Sequence, residues 1–186
     1  MLIVKKTQQF YYEKIENFRL ASLHKGHVVE MEKWAVAMAN KFSQADKEVV
    51  FLAVWLHDIG LITNNLENDH SVIGEEIARE WLIKENYDKH KVAKVLHCVR
   101  THRCKDVMPV TLEAKIIVFA DSASHMTQGV YLDILKEQKE GRSYDALQKL
   151  ERDWRDLSFF PEDKKDLLGL YKAWKALINA YKKVNI

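Results

Sequence analysis

Apolar residues recur along this chain at three- and four-residue spacing, while sustained strict alternation is absent, so the pattern predicts helices and not strands. A first helix is expected near residues 6–22 and a second from about 26 to 42. A third spans roughly 46–57, where "SQAD" offers Ser43 as an N-cap with Asp46 three residues on. A polar loop, "LITNNLEND", follows, and Asp69 stands where it can cap a fourth helix over about 70–85. A fifth runs from about 89 to 102, and after the turn "CKDVMP" Thr111 caps a sixth over about 112–125. Further helices are expected over about 128–140, 143–156 and 161–184. Pro109, Pro161 and six glycines punctuate the chain without clustering into a linker, and neither internal repeats nor low-complexity segments appear. The expectation is an all-α, single-domain helical bundle over residues 1–186.

Several polar residues fall on the apolar faces of these helices. His70 is followed at helical spacing by Ile73, Gly74, Ile77, Ala78, Trp81 and Leu82, with Glu75, Glu76, Arg79 and Glu80 on the other side. His27 is in register with Met31, Trp34 and Met38, and His57 closes a stripe through Val50, Ala53 and Val54. His102 continues Val92, Val95 and Val99; Asp121 follows Ala114, Ile117 and Val118. One such histidine is more often a core residue with a hydrogen-bond partner, and one such aspartate more often a cap. Five helices that each bring an inward His or Asp are different. Separate burial would cost each of them a private partner, whereas one shared cation satisfies them together. Imidazole nitrogen plus carboxylate oxygen suits Fe, Mn, Co, Ni or Zn, with Mg also admissible, and no thiolate biases the set toward zinc. Of the other histidines, His24 can share the side of His27, His97 and His90 read as exposed, and His125 lies one turn after Asp121.

Composition removes several function classes. A chain of 186 residues with 47% hydrophobic and 30% charged residues is ordinary for a globular protein. The net charge of +2, with charges interspersed, points neither to nucleic acid nor to acidic lipid. The opening "MLIVKKTQQF" is too short for a signal-peptide core, and no run reaches the ~18 apolar residues of a membrane helix, so a cytoplasmic protein is expected. Cys98 and Cys104 lack CxxC spacing and read as reduced thiols.

The order His27, His57–Asp58 in "WLHDIGLI", then a distant Asp121 resembles the signature of the HD superfamily of metal-dependent phosphohydrolases. The resemblance covers about residues 20–130, leaving a helical extension over about 131–186. It extends to "HSVIGEEIAREWL" and "RTHRCKDVMPVTLEAKIIVFADS", which look like segments of the two-metal members. By that likeness His70 and His102 complete a six-residue set for one or two divalent ions. Asp58 is the bridging and catalytic candidate, His27, His57 and Asp121 hold one ion, and His70 and His102 hold the second. Many relatives read His-Asp-x-Gly-Lys, but here Leu61 stands in the lysine's place. Arg103 and Lys105 are the nearest cations by sequence to meet a phosphate. The stretch after residue 140 carries no motif for chemistry, and its Trp and Tyr residues read as core or as the face of a homodimer.

The resemblance implies hydrolysis of a phosphomonoester, phosphodiester or pyrophosphate bond, of a small phosphorylated substrate such as a nucleotide, by a metal-activated hydroxide. Gly60 and Gly74 are isolated, so no Gly-rich phosphate loop competes with that reading. Two alternatives stay open on the ligands alone: a diiron oxygenase of the same superfamily, and a non-catalytic module in which the metal is structural.

Overall fold

The computed structural model describes residues 1–18, 20–63, 69–139 and 145–184. Every regular element among them is helical, as the spacing of apolar residues requires. The chain divides into two compact units, Met1–Ala120 and Asp121–Ile186.

The first unit is built around α3 (Lys47–Leu56). Seven of its ten residues, among them Val50, Leu52 and Leu56, are buried, so the helix is apolar all round and packs in the middle. It contacts α1 (Leu2–Ile15), α2 (Ala21–Lys41) and α5 (Lys89–Thr101), while α4 (His70–Lys84) packs on α5 and on a 3₁₀ turn, Ile59–Thr63. α1 begins earlier than its expected start near residue 6 because its buried stripe, Val4, Thr7, Tyr11 and Ile15, already starts in the "LIV" segment. α3 is capped by Asp46, not Ser43: the Asp46 carboxylate accepts from the backbone N–H of Glu48 and Val49 at 3.2 and 3.4 Å. Ser43 lies in an exposed turn before it. Asp69 caps α4 as expected, accepting from Ser71 N–H at 3.0 Å. Much of "LITNNLEND", residues 64–68, lies outside the described residues, but its first part is the 3₁₀ turn and not an irregular loop.

α6 (Leu112–Gln128) runs without a break from Thr111, which accepts from Ala114 N–H at 3.2 Å, and its residues from Asp121 onward belong to the second unit. Gly129, at φ +85°, ends α6 and starts α7 (Val130–Lys139), a backbone position that costs an L side chain strain. α8 (Ala146–Asp156) is capped by Asp145 and packs on α7 and on α10 (Leu168–Lys182). The single helix expected over 161–184 is two, because α9 (Pro161–Asp166) closes at Leu167 before α10 begins. Leu167 itself is neither Gly nor Pro; it is 5% exposed and turns into the unit there, and Gly169 is already the second residue of α10. No helix among the described residues is long and apolar enough to cross a membrane.

Candidate metal centre

Five of the six ligand candidates lie in the first unit, and the folding of their own helices delivers them. His57 is the C-cap of α3, where the stripe Val50, Ala53 and Val54 runs out, and is 1% exposed. His102 closes the Val92, Val95 and Val99 stripe of α5 in the same manner and is 4% exposed. His27 faces inward from the first turns of α2, in line with Met31, Ala35 and Met38. His70 is the first residue of α4 and is held there by the Asp69 cap. Asp58 follows His57 and precedes the 3₁₀ turn.

The two oxygens of Asp58 face different histidines. Oδ2 lies 3.4 Å from His57 Nε2 and 3.9 Å from His27 Nε2. Oδ1 lies 3.4 Å from both His70 Nε2 and His102 Nε2. Within each pair the nitrogens also converge, His27 with His57 at 3.1 Å and His70 with His102 at 3.3 Å. The ligand atoms of Asp58, His70 and His102 lie within 4.8 Å of one another, a grouping that could hold a metal ion. His24 Nδ1 stands 3.9 Å from Asp58 Oδ2, so this histidine also belongs to the cluster.

The tautomers of two rings follow from the backbone. His57 Nδ1 is 2.8 Å from Val54 O and His102 Nδ1 is 2.7 Å from Val99 O. A carbonyl oxygen only accepts, so each Nδ1 carries the hydrogen and, in the neutral ring, each Nε2 presents a lone pair to the cluster. Those lone pairs point at a carboxylate, which also only accepts. Two acceptors at 3.4 Å repel unless a cation lies between them. The donor set therefore fits a metal, and His57 and His102 already have the backbone hydrogen bonds that orient metal-ligating imidazoles.

Asp121, the sixth candidate, is the first residue of the second unit, 9% exposed on α6. Its Oδ1 lies 3.4 Å from His125 Nε2 one turn on. The two cations named from sequence are paired. Arg103 Nη1 donates to Asp69 Oδ2 at 2.6 Å and Lys105 Nζ donates to the same oxygen at 3.1 Å. They tie the turn after His102 to the cap just before His70. Burial opposes ionisation of Asp69, yet the Ser71 N–H, Arg103 and Lys105 hold its carboxyl far below the usual range. His90 is exposed as expected, but His97 is half-buried and its Nε2 accepts from Val110 N–H at 3.1 Å, pinning the loop before α6.

A cavity of about 380 Å³ lies elsewhere in this unit, lined by Ile59 and Ile62 of the 3₁₀ turn with Phe10, Ile77 and Trp81 among others. None of the histidines or aspartates lines it, so this cavity and the candidate chemistry are separate. Cys98 and Cys104 are both buried and neither is in a disulfide, and burial pushes the Cys98 thiol well above its ordinary value.

The model of the HD domain family matches residues 25–126. An uncharacterized protein of Methanocaldococcus jannaschii is 33% identical over 127 residues, covering 62% of this chain and 74% of that protein. A tRNA (cytidine(56)-2'-O)-methyltransferase of Picrophilus torridus is 29% identical, covering 71% of this chain, and ribonuclease Y of Acidothermus cellulolyticus is 32% identical, covering 68%. The chain spans only 40% and 22% of the length of those two proteins. The crystal structure of a predicted HD superfamily hydrolase from an uncultured Thermotogales bacterium superimposes with a TM-score of 0.58, covering 89% of this chain and 91% of that one at 21% identity. With the family's residues matched over more than half its length and its His-Asp pair at the centre of the histidine cluster, the chain belongs to the HD domain family.

Proposed function

We propose that this protein is a metal-dependent phosphohydrolase that acts on a small phosphorylated substrate, a nucleotide in the first instance. One observation carries the reading: each oxygen of Asp58 faces its own pair of histidine Nε2 atoms, at 3.4–3.9 Å. Asp58 would be shared by two ions. His27 and His57 would serve the first, together with Asp121, whose place rests on the sequence pattern, and His70 and His102 would serve the second. Divalent ions bound there supply an acidified water at neutral pH and positive charge for phosphoryl oxygens.

The chain's own residues do the rest. The Val54 and Val99 carbonyls lock the rings of His57 and His102 so that Nε2 faces the site. A carboxylate with two oxygens turned to different histidine pairs suits a ligand shared by two cations. Arg103 and Lys105 are the proposed contacts for substrate phosphate in place of the lysine that Leu61 replaces, each released from the carboxylate of Asp69 for the purpose. The likeness to ribonuclease Y, by name a phosphodiester-cleaving enzyme, supports the same class of bond. The balanced charge of +2 favours a small substrate over a long polyanion.

The test is phosphate release from a panel of nucleoside mono-, di- and triphosphates and cyclic dinucleotides, with protein loaded in turn with Mn²⁺, Mg²⁺, Co²⁺ or Fe²⁺. Turnover that is lost in Asp58→Ala, with helicity retained, supports the reading. Turnover that requires O₂ and releases no phosphate would make the protein an oxygenase instead. A metal-loaded protein inert toward the whole panel would leave the structural-metal module.

A further inference from the structure

The second unit buries a group of polar side chains that the metal reading does not use. Asp153 is 2% exposed, His125 8%, and Tyr131 is fully buried, in a stretch where the sequence shows no chemical motif. Tyr131 Oη donates to Asp153 Oδ2 at 2.7 Å, and Lys149 Nζ donates to Asp153 Oδ1 at 2.6 Å. The same ammonium lies 2.8 Å from His125 Nδ1. Trp174, edge-on to Tyr131 at 5.3 Å and donating to Met126 O at 2.9 Å, holds the phenol in place.

Burying an ammonium, a carboxylate and an imidazole together is no better for stability than apolar residues of the same size, so stability alone does not account for the group. Its hydrogen bonds have a direction. Lys149 has hydrogens and no lone pair, so Nδ1 of His125 is the acceptor. The neutral ring then carries its hydrogen on Nε2, and Nε2 faces Asp121 Oδ1 at 3.4 Å. The Nδ1 contact with Asp153 is longer, at 3.4 Å, which leaves Lys149 as the closer partner.

We propose that Lys149 and Asp153 are positioning residues for Asp121: they hold His125 in the Nε2–H tautomer, so that its N–H faces Asp121 Oδ1 and fixes the orientation of that carboxylate as a ligand for a cation. This rests on the reading of Asp121 as a metal ligand. Outer hydrogen bonds of this kind are worth about 10–100-fold in metal affinity. Asp153 can serve as the anchor because the Lys149 ammonium offsets its burial and keeps it ionised.

The experiment has two readouts on the full chain. The first is the tautomer of His125 in metal-free protein, from long-range ¹H–¹⁵N spectra of ¹⁵N-histidine-labelled material. The second is Mn²⁺ affinity by calorimetry. Wild type should show a hydrogen-free Nδ1 and a protonated Nε2, and Lys149→Met should lose that preference and bind Mn²⁺ about 10–100-fold more weakly. Since Lys149→Met leaves Asp153 without its ammonium and can fail to fold, Lys149→Met/Asp153→Leu provides an apolar pair, with the same expected losses. An Nδ1–H tautomer in wild type, or wild-type affinity in the folded double variant, would overturn the proposal. Asp121→Asn separates the two readings. If it weakens Mn²⁺ while the double variant does not, only the positioning role falls. If it binds Mn²⁺ like wild type, the ligand role of Asp121 falls and takes the positioning role with it.

Discussion

Gly60 sits at a close backbone crossing beside the histidine cluster, and Gly60→Ala tests it. Gly60 lies in the 3₁₀ turn directly after Asp58, where α4 crosses it at Gly74. A Cβ added at Gly60 would stand 2.7 Å from Gly74 N and nearer still to the carbonyl oxygen of His70, both of them backbone atoms that cannot swing aside. Restoring ordinary contact requires the turn and α4 to part by more than about 1 Å, and interiors this dense do not absorb such a shift. A gap of only about 0.5–1 Å already forfeits a quarter to a half of each contact along the crossing. Together with the overpacking, the expected cost is about 1–3 kcal/mol. His70, the first residue of α4, would move by a similar amount from Asp58 Oδ1, now at 3.4 Å from its Nε2. Gly74→Ala is the control, because its Cβ would meet its nearest neighbours at 3.4–3.5 Å and it gains helix propensity. It should change stability by less than about 1 kcal/mol. Urea midpoints give the stability, and metal content after reconstitution gives the site. If Gly60→Ala matches Gly74→Ala in both, the close crossing does not set the position of His70, and the reasoning fails.

Three further expectations follow from the same geometry. Asp46→Ala should cost about 1 kcal/mol at pH 7, while Ser43→Ala changes nothing. Burial opposes ionisation of Asp46 but Lys91 and the α3 amides outweigh it, so its folded pKa lies below the unfolded value. Its stabilisation is therefore complete above about pH 4, and the gap between Asp46→Ala and wild type in urea titrations should shrink as pH falls below that. His70→Ala and His102→Ala should each lower metal content from about two ions per chain toward one, and unchanged content by elemental analysis would remove them from the ligand set. Cys98, buried and with its thiol pushed up by that burial, should react with Ellman's reagent only as the protein unfolds; prompt labelling in native buffer would contradict its place in the core.

Most of the fold was legible because the buried stripes are long and regular, and the inward histidines interrupt them at helical spacing. His57 and His102 were readable as the residues that end the Val50–Val54 and Val92–Val99 stripes, and they stand there. The capping residue of α3 was misread because Ser43 and Asp46 both suit an N-cap by type. Only the turn before Asp46, with Asp46 N–H donating to Glu113 Oε1 at 2.9 Å, decides between them. The break at Leu167 was hard to read because Leu167 is itself an ordinary helix former and Gly169, two residues on, lies inside α10. Asp153 did leave one that was passed over: it follows Ala146 and Leu150 and precedes Leu157 on one helical face, a carboxylate in a buried stripe. Its partners, Tyr131 and His125, come from other helices and could not be matched to it by spacing. The pairing of Arg103 and Lys105 with Asp69 is likewise a tertiary fact, since 34 residues separate Asp69 from Arg103.

The central claim is that Asp58 is shared by two metal ions. Elemental analysis of protein reconstituted with Mn²⁺ and freed of excess by gel filtration tests it most directly, run beside Asp58→Ala. Close to two ions per wild-type chain, with loss of most metal in a still-helical Asp58→Ala, is the predicted result. A wild-type chain that retains no metal after reconstitution with Mn²⁺, Fe²⁺, Co²⁺, Ni²⁺ or Zn²⁺, or an Asp58→Ala chain that retains all of it, would contradict the account.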